Sequence, residues 1–70
     1  MAVADRLEIA WKVLHGALSL SDREFWIVFD EVEARTLIGL QENDLIQAIE
    51  GLHAHAARLK GRGRPIASHH

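Results

Sequence analysis

Seventy residues, 49% of them hydrophobic and 26% charged, make one small domain, too apolar to be disordered and able to bury only about 60% of its unfolded surface. The lack of cysteine excludes a disulfide framework and a thiolate metal site. The net charge of −2 is unevenly spread: residues 1–56 carry ten acids against four bases (Arg6, Lys12, Arg23, Arg35), a net of −6, and residues 57–70 carry four bases and no acid, a net of +4.

An acidic body with a basic end predicts either two surfaces with two partners or an end that folds back on its own body. The first residues, MAVADRLEIAWK, place acids where a secretory signal has an uninterrupted apolar core. No stretch approaches the roughly 18 apolar residues that suggest a membrane span. The expectation is a soluble, cytoplasmic protein without membrane contact. A chain this apolar and this short is also expected to bury part of its surface against another copy, as a homodimer or small oligomer.

The first element is predicted over residues 3–18. Val3, Leu7, Ala10, Leu14 and Ala17 recur at spacings of four and three and form one helical stripe. Ile9 and Val13 make a second row, and Trp11 lies beside the main one, so the helix needs cover on more than one side. Gly16 weakens the last turn by up to ~1 kcal/mol relative to alanine.

The second helix is predicted over residues 22–38. Ser21 followed by Glu24 is the capping-box pattern, with Leu20 and Phe25 at the positions of a hydrophobic staple. Gly39 is placed to end the helix in a left-handed conformation. The run Phe25-Trp26-Ile27-Val28-Phe29 has strand propensity, and a strand over residues 24–29 is the competing reading. No turn signal follows it, and Asp30 to Arg35 continue in helix-compatible residues, which favours the helix. Phe25, Val28, Phe29 and Val32 then share one face, Trp26 and Leu37 lie about a quarter turn away, and Ile27 and Ile38 lie roughly opposite. A helix apolar nearly all round is expected at the centre, sandwiched between its neighbours or at a subunit interface.

The third helix is predicted over residues 42–59, with acids in its first turn and Leu45, Ile49, Leu52, Ala56 and Leu59 as its stripe, Ala48 beside it. Gly61, Gly63 and Pro65 end it. The fold class is therefore all-α: a three-helix bundle over residues 1–60 with a flexible basic tail over residues 61–70.

Nothing here has the form of a catalytic or cofactor signature, and an enzyme is not expected. His53 and His55 point about 200° apart on a helix and cannot chelate one ion. His15 meets His53 only through tertiary packing, and His69 and His70 resemble the remnant of a purification tag. Asp30 and Glu33 are close enough for proton transfer beside an aromatic, but such pairs usually form a solvated face. No metal and no cofactor are predicted.

The tail carries one motif. Arg62-Gly63-Arg64-Pro65 resembles the core of the AT-hook. The resemblance implies that Arg62 and Arg64 enter the narrow minor groove of A·T-rich DNA, with Gly63 allowing close approach. Arg58 and Lys60 would add phosphate contacts. A helix-turn-helix reading of the body is disfavoured, because Glu42 and Asp44 put acids where a recognition helix meets DNA. The preferred function is a non-catalytic protein-interaction module, a small regulator, adaptor or antagonist. Its expected contacts are the apolar residues a three-helix core cannot cover: Trp11, Trp26, Ile27 and Ile38. The alternative is a small DNA-associated regulator working through its tail.

Overall fold

The computed structural model of the protein describes residues 2–64; Pro65, His69 and His70, and with them most of the tail expectation, lie outside these. Helix α1 spans Val3–Gly16, α2 spans Asp22–Leu37 and α3 spans Glu42–Lys60, with a short 3-10 turn at Ala17–Ser19 after α1. There is no strand among the described residues. Phe25 to Phe29 are helical.

Local chemistry sets the helix ends. The Ser21 hydroxyl accepts from the Glu24 amide at 3.2 Å, and the Glu24 carboxylate accepts from the Ser21 amide at 3.4 Å, completing the capping box. Gly39 closes the turn after α2 at φ 77°, and Gly61 caps α3 at φ 76°, a region that side-chain-bearing residues avoid. After Gly16 the chain tightens into 3-10 geometry, so α1 stops two residues before the predicted end at 18.

Each helix packs against both of the others. The expectation that α2 lies sandwiched between its neighbours or at a subunit interface is corrected only in that α1 and α3 also touch, so the bundle is triangular in section. The core takes Leu7, Ala10, Leu14 and Ala17 from α1 and its following turn, Phe25, Trp26 and Phe29 from α2, and Ala48, Leu52 and Ala56 from α3. Large rings on α2 are balanced by alanines on α3, so α3 can approach the aromatic cluster closely. Within that cluster Trp26 meets Phe25 edge to face at 5.1 Å and Phe29 at 5.3 Å, arrangements the ring quadrupoles favour.

A second correction follows. Trp26, expected outside the core, is only 6% exposed and belongs to it. The side of α2 a quarter turn from the Phe25–Phe29 face is the side that α3 covers.

One polar link ties the ends of two helices. The Arg6 guanidinium donates to the backbone carbonyls of Thr36 at 3.0 Å and Ile38 at 2.5 Å. These carbonyls at the end of α2 have no partner within the helix, and the cation also suits the negative end of the helix dipole. The Thr36 hydroxyl, itself buried, donates to the Val32 carbonyl at 2.7 Å.

Candidate functional site

With α3 covering one side of the α1–α2 pair, the other side is left open. There α1 contributes Ile9, Ala10 and Val13, and α2 contributes Val28, Glu31, Val32, Arg35 and Thr36, around a groove of about 280 Å³. It continues toward the α2 end as a hollow lined by Arg6, Ile9, Arg35, Thr36 and Ile38. Ile9 is 52% exposed, Val13 45% and Ile38 68%. Ile27, 54% exposed, stands one turn before Glu31 on the outer side of α2. Exposed apolar residues gathered on one face mark an interaction surface more often than scattered ones do.

Of the four predicted contact residues, Ile27 and Ile38 are exposed on or beside this face, Trp26 is in the core, and Trp11 lies elsewhere. Trp11 is half-buried at the α1–α3 seam, stacked on His55 with ring centres 4.7 Å apart and planes 22° apart. Ile9, Val13, Val28 and Val32 were absent from the predicted set. The second row formed by Ile9 and Val13 is the sequence signal that points to them.

Polarity on the groove is sparse and specific. Arg6 is engaged with the end of α2. Glu31 and Arg35 form no ion pair with any described residue. They sit four apart, one turn of the same helix, beside the valines.

The opposite side of α2 is acidic and meets the basic end of the chain. Lys60 and Arg62 both pair with Asp22, and Arg64 makes a two-pronged contact with Asp30, its second prong at 2.9 Å. The Lys60 ammonium also lies over the Phe25 ring, 5.0 Å from its centre. Hydrogen bonds from Lys60 and then Arg62 hold the Asp22 carboxyl below its usual range. The Arg64 contact does the same for Asp30, and Asp30 in turn raises Arg64. Residues 61–64 thus lie back along α2, and three of the four cations assigned to DNA contact are held by carboxylates. The fourth, Arg58, is exposed.

The histidines also find partners across helices. His53 pairs with Glu33 at 2.8 Å and sets its ring against Phe29. His15 meets His55 rather than His53, with ring nitrogens 3.1 Å apart. Burial first, then the neighbouring His15 and Arg58, keep the His55 pKa below the ordinary 6.5. Among the described residues no group of three or more His, Asp or Glu is placed to hold a metal ion.

The chain matches no protein-family model, no curated protein and no solved structure. What the groove and the clamp can do therefore follows from their chemistry. Among the described residues no helix is long and apolar enough to cross a membrane.

Proposed function

We propose that this protein is a non-catalytic protein-interaction module, and that its working surface is the groove between α1 and α2. The observation that carries the reading is the line of exposed aliphatic residues, Ile9, Val13 and Ile38, around a groove floored by Ala10, Val28 and Val32. Such a groove suits an amphipathic helix whose apolar ridge lies along it. The protein acts by occupying its partner, as a regulator, adaptor or antagonist does, with no bond made or broken.

The alternative, minor-groove DNA binding by Arg62 and Arg64, draws support from the Arg-Gly-Arg-Pro sequence. It is opposed by Asp22 and Asp30, which already neutralise both arginines.

Capture from an extract of the native host tests the reading. Wild type is expected to retain a partner that Val28→Asp on the floor of the groove and Ile9→Asp on its rim release. Equal capture by wild type and both variants refutes it, provided circular dichroism shows the variants folded.

A further inference from the structure

Taking the groove to be a protein-binding surface, we infer that its occupant is a second copy of this chain, seated antiparallel about a two-fold axis that passes beside position 33 of α2. Three observations carry this. First, the groove's ionisable side chains not already engaged are Glu31 and Arg35, opposite in sign and one helical turn apart. A two-fold axis midway between them sets Glu31 of each copy against the partner's Arg35, satisfying both charges with a single self-complementary patch.

Second, the same axis pairs Val28 with the partner's Ile38, because both stand five residues from the centre. Ile38 is the most exposed large hydrophobic residue among the described residues, at 68%, and stands at the end of the groove where it can reach across. Val28 lines the floor that Val13 faces. One residue therefore supplies the ridge and the other the hollow, which is what an isologous contact requires. A partner of unrelated sequence would not explain why charge and shape both close under the same operation.

Third, the size is right. A stable interface takes roughly 800 Å² from each partner. The chain exposes 4843 Å², so such a patch is about a sixth of the surface. Covering it also removes most of the exposed aliphatic residues of α1 and α2 from water, the surplus expected of so short a chain.

Sedimentation equilibrium of the full chain across micromolar concentrations tests the proposal, using charge reversals that should not disturb folding because Glu31 and Arg35 are exposed. Glu31→Arg gives a patch with two cations, and Arg35→Glu a patch with two anions. Wild type is expected to be a dimer. Each variant alone should dimerise at least tenfold more weakly, since like charges now face each other. An equimolar mixture of the two should form a heterodimer more tightly than either variant pairs with itself. A wild type that stays monomeric overturns the proposal, as does a mixture showing no preference for the heterodimer. These failures are separable from failure of the groove reading. A monomer whose host partner is lost on Val28→Asp places another chain in the groove, and a monomer that captures nothing through it overturns both.

Discussion

Gly51 lies inside α3, half-buried, and faces Leu7 of α1. In a helix interior glycine is about 1 kcal/mol less favourable than alanine, because it loses more backbone freedom on folding. A Cβ placed on Gly51 would sit 3.5 Å from Leu7 Cδ1 and 3.7 Å from Cδ2. Those are ordinary van der Waals separations, so the methyl fills space without displacing its neighbour. Its partial burial adds a fraction of the ~0.8 kcal/mol assigned to a fully buried methylene. Gly51→Ala should therefore stabilise the fold by about 1 to 1.5 kcal/mol, and a domain of this size gains about 4–8 °C in Tm per kcal/mol. Thermal unfolding followed by far-ultraviolet circular dichroism measures this, at one fixed protein concentration because association would raise Tm by mass action. The companion Gly39→Ala should move Tm the other way. Nothing lies within 4 Å of its added carbon, but φ is +77°, and a side chain there costs about 1–2 kcal/mol. A fall in Tm for Gly51→Ala would refute the reasoning, since it would mean that α1 and α3 lie closer than the stated contact allows.

Ser21→Ala removes one half of the capping box and should lower stability by about 1 kcal/mol, read by urea titration, with Ser21→Asp retaining most of it. The His55 pKa is lowered on folding, so its contribution is fully present above pH 6.5 and is lost as the pH falls through its folded pKa. Unfolding free energy should decline on acidification below pH 6.5, and His55→Gln should flatten that decline; an unchanged slope in the variant would place the titration elsewhere. Replacing both Asp22 and Asp30 by asparagine frees the cations that hold residues 61–64 against α2. Trypsin should then cut after Lys60 and Arg62 several-fold faster than in wild type, and equal rates would mean that the clamp does not hold in solution.

The helices were legible because their signals are local. The capping box, Gly39 and the Leu45 to Leu59 stripe each act within a few residues, and the observed ends fall within two positions of the expected ones. The surplus of apolar residues on α2 was legible as well. Which side α3 would take was not, because a helical wheel ranks faces without saying where a neighbour sits. That is how Trp26, a quarter turn from the main face, became a predicted contact while it packs between Phe25 and Phe29. The same limit hid the Trp11–His55 stack and the His15–His55 contact, which join residues 44 and 40 apart in the chain. The groove was half-visible. Ile9 and Val13 stood out as a second row, but only the docking of α2 beside them turns that row into a wall.

The hydrogen bonds from Arg6 to Thr36 and Ile38 have a consequence for how the fold opens. They fasten the first turn of α1 to the last turn of α2, residues 30 and 32 apart. Fraying at the amino-terminal end of the bundle therefore strips two carbonyls of their donor at the far end of the second helix and loosens the turn that Gly39 shapes. The two ends should open as a single cooperative unit. In hydrogen exchange their amides would share one opening free energy, and Arg6→Ala would speed exchange in both places together.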